Sequence, residues 1–223
     1  MREVMQGRGR GMAGTAATAV LVLGAVTGCS SEPAADAKAG AGSTAKATAT
    51  PAAADSVKKG ATIGAPDSAC PMPVTFDLAA DWKPEAVESG GPDDEFGALL
   101  RQGPVTLVCE IDAKPAGNIG FLRVWTGGKA GDDARAALRA FVADAAKSRE
   151  KEAYTATKAG GLEAVEVTYV NTDEFLDEPK KERAFAVTTP KGVVVVDLGG
   201  LDTQEHEEML PAYELARTSL RTS

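Results

Sequence analysis

The chain has 223 residues, 25% of them charged, with a formal net charge of −8 and a single histidine. No basic patch or stripe of the kind that binds nucleic-acid phosphates is visible, no apolar run reaches the ~20 residues of a transmembrane helix, and one histidine excludes a His-rich metal site. Composition changes along the chain: Ala is heavily used early, and no aromatic residue appears before Phe76. Residues 1–28 open with Arg2, Arg8 and Arg10, then an apolar stretch from Ala13 to Val26, richest at Val20, Leu21, Val22 and Leu23. A basic start, a short apolar run and small residues at the cut describe an export signal rather than a spanning helix.

The cut falls before a cysteine. Val26, Thr27, Gly28 and Cys29 resemble the lipobox of bacterial lipoproteins: an aliphatic residue, two small residues, then Cys. The resemblance implies that the Cys29 thiol receives a diacylglycerol and that Cys29 becomes the mature N-terminus. A diacylglycerol supplies the two acyl chains that stable attachment requires. The membrane is thus the expected partner of Cys29, and the extracytoplasmic face of the cell membrane the expected location. The alternative is an ordinary signal peptide with an incidental cysteine.

Residues 29–66 hold the lipidated Cys and an Ala-rich stretch with Gly, Ser, Thr, Pro and Lys, in which Val57 and Ile63 are the sizeable apolar side chains. Such a segment cannot bury enough surface to offset its ordering entropy. A disordered tether is expected, with docking of part of it on the domain as the alternative. Leader and tether are both slightly basic, so the negative charge is concentrated in residues 67–223, the expected single domain. Cys70 and Cys109 remain once Cys29 is used. The exported compartment permits disulfides, and two cysteines leave one pairing; two separate buried thiols are the alternative.

In the domain, Val74–Leu78 alternates as a strand, and residues 80–84 read as a turn. A short helix is expected over 94–100. Residues 105–112 read as a strand with Val105, Leu107, Cys109 and Ile111 on one face, and residues 119–125 as its hairpin partner. Asp132 and Asp133 cap a helix on which Ala134, Ala137, Leu138, Phe141 and Val142 recur at helical spacing. Residues 162–170 form a strand, 184–189 and 192–198 a second hairpin, and 203–221 a last helix, with Pro211 expected to break or kink it.

This order, three strands, a helix, three strands and a helix, predicts an α+β domain with a mostly antiparallel sheet packed by helices. It resembles the PsbP-like fold of the LpqN-like family of actinobacterial lipoproteins. The resemblance is carried by the strand Phe76, Asp77, Leu78 leading to Trp82, the mid-chain amphipathic helix, the late hairpin, and the ending Ala216, Arg217, Thr218, Ser219, Leu220. It supplies no shared catalytic residues.

Chemistry-bearing motifs are sparse. There is no nucleophile elbow, Walker loop or Ser-x-x-Lys motif. Asp202, Glu205 and His206 fall on one helical face, but acidic residues there read as a cap and first turn. The run Asp173–Glu178 lacks EF-hand spacing and reads as a solvated loop. No metal or cofactor is therefore expected. Trp82 and Trp125 are the candidates to line a ligand pocket, with core packing as the alternative for each. The leading expectation is a non-catalytic binding or accessory module of the cell envelope, whose partner is an unidentified envelope protein or small ligand. The competing classes are a carboxylate-dependent envelope hydrolase and a small substrate-capture lipoprotein for a transporter.

Overall fold

The computed structural model describes residues 57–88, 95–172 and 178–223. The lipobox residues Val26, Thr27, Gly28 and Cys29 lie outside the described residues, as do the export signal, the tether up to residue 56 and the acidic stretch 173–177.

In chain order the first half holds β1 (Lys59–Ile63), β2 (Val74–Ala79), β3 (Lys83–Ala86), α1 (Glu95–Leu99), β4 (Arg101–Gln102), β5 (Val105–Asp112) and β6 (Gly120–Gly127). The second half holds α2 (Ala134–Ala145), β7 (Arg149–Ala159), β8 (Leu162–Thr172), β9 (Pro179–Thr189), β10 (Gly192–Gly200), α3 (Thr203–Ser219) and β11 (Arg221–Thr222). The main sheet runs β3-β5-β6-β10-β9-β8-β7, with β4 also on β5, and β1-β2-β11 make a smaller one. Neighbouring strands pair antiparallel throughout both sheets. The domain is α+β.

Each face of the main sheet has its own core. On one face α3 presents Met209, Ala212, Tyr213 and Ala216 to Leu122, Val124, Phe185, Val196 and Leu198, and the small sheet adds Val74, Phe76 and Leu78. On the other, α2 packs Leu138, Phe141 and Val142 over Val167, Ala184, Ala186, Val193 and Val195. The run Val193–Val196 therefore fails to alternate because both of its faces are covered, and all four valines are buried. Asp133 caps α2 by accepting the Ala136 N–H at 2.6 Å, and Asp202 caps α3 by accepting the Glu205 N–H at 2.8 Å.

Several expectations need correction. Val105, Leu107, Cys109 and Ile111 do not share a face: the first two join the α2 core and the last two the α3 core. The cause is a register shift, because Leu107 pairs with Trp125 but Cys109 with Val124. One extra residue, Val108, turns the strand over, as a bulge does.

The domain also starts earlier than its composition suggests. Residues 59–63, read as tether, are β1, which pairs with β2. Its side chains are exposed except Ile63, so backbone hydrogen bonds hold it together with Lys59 and Thr62, which both reach Asp77 of β2, at 2.8 and 2.6 Å. Strand β7 was not anticipated, since it is mostly exposed at the sheet edge, and β3 replaces the end of the turn read over 80–84, with Pro84 on an edge strand where its missing N–H is tolerated. Pro211 does not break the last helix, which continues from Thr203 to Ser219. Residues 209, 212, 213 and 216 are buried against the sheet on both sides of it, and this packing holds the helix together.

Candidate functional site

Helix α2 covers part of its face of the sheet. Beside it lies a cavity of about 580 Å³. Strand alternation decides what lies there. On β6, the residues on the α2 face are Phe121, Arg123 and Trp125; on β10 they are Asp197 and Gly199; on β9, Lys180 and Glu182; on β8, Tyr169 and Asn171; all of these line the cavity. Its mouth is apolar. Leu99, Ile119 and Leu201 are the exposed large hydrophobic residues among those described, at 76%, 53% and 51% exposure, and all three border this cavity.

The floor holds a set of charges. Arg123 Nε lies 2.7 Å from Glu110 Oε1, across the β5–β6 pair, and its guanidinium stacks 4.7 Å above the Phe121 ring. Lys180 Nζ lies 2.9 Å from Glu182 Oε1 and donates to the Gly200 carbonyl at 3.0 Å. Asp197, opposite Arg123 in the ladder, makes no salt bridge and accepts no hydrogen bond among the described residues. Burial raises the Asp197 carboxyl, against the pull of Arg123 and Lys180. Burial also raises Glu182, and the negative charge of Asp197 adds to the effect. The two carboxylates titrate as a pair. Lys180 offsets part of the rise at Glu182, and Arg123 and Lys180 offset part of the rise at Asp197.

Two further polar atoms are unsatisfied in the cavity wall. The Trp125 indole N–H and the Gln102 side-chain oxygen are buried without partners among the described residues, and both residues border the cavity. Trp125 is 4% exposed and packs edge-on against Phe141 of α2, ring centroids 5.2 Å apart. A buried donor or acceptor left unpaired costs about 1–3 kcal/mol. Among the described residues, no group of three or more His, Cys, Asp and Glu side chains is placed to hold a metal ion.

The structure separates the residues singled out in the sequence. Trp125 lines the cavity, while Trp82 packs into the α3-side core on the opposite face. Cys70 and Cys109 are joined as a disulfide, Cα atoms 5.8 Å apart, also in that core. Asp202 is spent on the α3 cap, and Glu205 accepts from the Ile119 N–H at 2.9 Å, so neither completes a ligand set with His206. His206 is itself buried, with its Nδ1 unpaired among the described residues. Burial first, then Arg183, pushes its pKa down to about 4, so it is neutral. Sequence reasoning missed Asp197, Glu182 and Arg123. The signal for Asp197 was present: one charge directly after Val193–Val196, inside a strand too apolar to have a solvated face.

No curated protein matches the chain. Among solved structures it is similar to LpqN of Mycobacterium tuberculosis, described as involved in cell envelope biogenesis, with 16% identity, a TM-score of 0.38, and coverage of 73% of this chain and 90% of that one. A family profile described as uncharacterised lipoprotein matches residues 38–220, which takes in β1 through α3, and the chain therefore belongs to that lipoprotein family.

Proposed function

We propose that this lipoprotein is anchored through Cys29 on the extracytoplasmic face of the membrane, and that its PsbP-like domain is a non-catalytic receptor for a small molecule with apolar and polar parts. The observation that carries the reading is the coincidence of the exposed Leu99, Ile119 and Leu201 with the mouth of the 580 Å³ cavity. Exposed apolar patches mark interaction sites, and concave sites of ~300–1,000 Å³ with a few convergent polar groups are typical of ligand binding. The unpaired atoms of Trp125 and Gln102 support it independently.

Blocking the cavity tests this. Gly199 lines it, and a Cβ there meets only the flexible tip of Arg123, at 3.3 Å. Protein extracted from its native membrane should carry a small molecule seen by native mass spectrometry, and Gly199→Leu should lose it. A bound molecule retained at full occupancy in the variant sinks the assignment to this cavity. The same spectra report the anchor: a mature N-terminus at Cys29 without diacylglycerol mass overturns that part.

The Glu182 and Asp197 pair favours a second reading, a carboxylate-dependent hydrolase. Turnover of an envelope glycan by the protein, abolished in Asp197→Asn, would establish it over the receptor.

A further inference from the structure

We propose that the cavity receives an organic cation, a ligand whose ammonium group binds the Asp197 carboxylate while its apolar body lies against Trp125, Phe121 and Leu107. This rests on the receptor reading above and names the ligand class.

Charge balance on the cavity floor selects the ligand class. Arg123 is matched by Glu110 at 2.7 Å. Lys180 is matched by Glu182 at 2.9 Å, and the Glu182 side chain is only 8% exposed. Those two pairs cancel. Asp197 is left over, with no hydrogen bond or ion pair among the described residues. An unpaired carboxylate in a partly desolvated cavity needs either a proton or a cation. An anionic ligand would have to break one of the two existing pairs and then lie beside Asp197. A neutral hydroxyl would leave the charge uncompensated.

The surroundings favour a cation over a bare proton. Trp125, Phe121 and Tyr169 all border the cavity, and aromatic faces attract ammonium groups. Trp125 pairs with Val195 and Arg123 with Asp197 in the β6–β10 ladder. Trp125 and Asp197 are thus diagonal neighbours on one face, about 7–8 Å apart along the backbone. A small amine can reach the carboxylate with its body on the indole, and an acceptor atom on the ligand would satisfy the Trp125 N–H. The cation and a proton compete for the same oxygen. The groups facing Asp197 are Arg123 and Glu110 across β6 and β5, Lys180 and Glu182 on β9, and Tyr169 on β8.

The test is calorimetric titration of the purified full chain with three isosteric probes: hexylammonium, hexanol and hexanoate. At about pH 8 hexylammonium should bind at least about tenfold tighter than the other two. Asp197→Asn should remove that advantage. In the wild-type protein, hexylammonium affinity should fall by at least about tenfold towards pH 5, whereas hexanol binding should not. The pH series keeps the test decisive if the variant does not fold. Equal binding of hexanol or hexanoate, or an unchanged affinity in Asp197→Asn, overturns the cation assignment while leaving the cavity a receptor. Binding of none of the three overturns both.

Discussion

Removing the Cys70–Cys109 disulfide is the perturbation whose size the structure sets most directly. The bridge spans 39 positions in sequence and encloses β2, β3, α1, β4 and the start of β5. In the chain-entropy model, closing a loop of that length lowers denatured-state entropy enough to stabilise the fold by ~4 kcal/mol. Both cysteines are fully buried, so Cys70→Ala/Cys109→Ala also loses a little packing. For a domain of this size, ~4 kcal/mol corresponds to a fall in Tm of about 8–16 °C. Urea unfolding of the oxidised protein and the double variant measures it. The midpoint should drop, and the m-value should rise, because the unbridged denatured chain exposes more surface. A loss below ~1 kcal/mol with unchanged m would overturn the loop-closure account. It would mean that residues 70–109 stay constrained in the denatured state without the bridge.

Asp133→Ala removes the oxygen that accepts the Ala136 N–H and should cost about 1 kcal/mol in the same urea assay. Gly160 has φ +55°, a Cβ there would sit 1.8 Å from the Leu220 carbonyl oxygen, and its N–H donates to the Arg217 carbonyl at 2.8 Å. Gly160→Ala should therefore lose more than about 2 kcal/mol, while Gly161→Ala, with open space around it, should stay within ~0.5 kcal/mol. His206 titrates near 4 in the fold against an ordinary value of 6.5, so the unfolded chain binds more protons between those values and stability falls as pH is lowered through that window. The difference in stability between wild type and His206→Gln, followed by urea titration at several pH values, should show that slope. The carboxyl of Asp197 is raised, so its contribution runs the other way and is lost as pH rises. Asp197→Asn should accordingly be more stable than wild type at about pH 8 in thermal melts, even as it loses hexylammonium.

The elements with a buried face were legible in the sequence. The amphipathic helix 134–145, the hairpin of β9 and β10 and the Asp202 cap all follow from spacing and capping chemistry. What escaped were elements whose formation depends on partners instead of on their own side chains. Strand β1 is Lys, Gly, Ala, Thr and Ile, and only its last residue is buried. Strand β7 carries charges along an exposed edge. Neither buries a periodic apolar set, so no periodicity announces them. The Val108 bulge escaped for a different reason. Period-2 alternation of Val105, Leu107, Cys109 and Ile111 is perfect in the sequence, yet the inserted residue sends the two halves to opposite cores.

That bulge and the short α2 together explain why there is a site at all. Seven strands in the main path make a sheet about 29 Å wide at ~4.8 Å per neighbour. The 17-residue α3 is ~26 Å long, and with the small sheet beside it the α3 face is closed. The 12-residue α2 is only ~18 Å long, and the short segment beside it, where Leu100 joins its core and the Gly103 N–H donates to Asp144 at 2.8 Å, leaves the cavity open. Beyond its reach the strands must carry residues that tolerate water. Before the bulge β5 sends Val105 and Leu107 to α2; after it, Glu110 takes their face and meets Arg123. Were Val108 paired regularly instead of bulged, the continued alternation would put Cys109 and Ile111 on the cavity floor, take Cys109 out of the core it shares with Cys70, and leave Arg123 without its carboxylate. Arg123 would then be free to pair with Asp197, its ladder neighbour, and the unmatched charge on which ligand choice turns would disappear. One backbone insertion thus supports both the disulfide on one face and the odd carboxylate on the other.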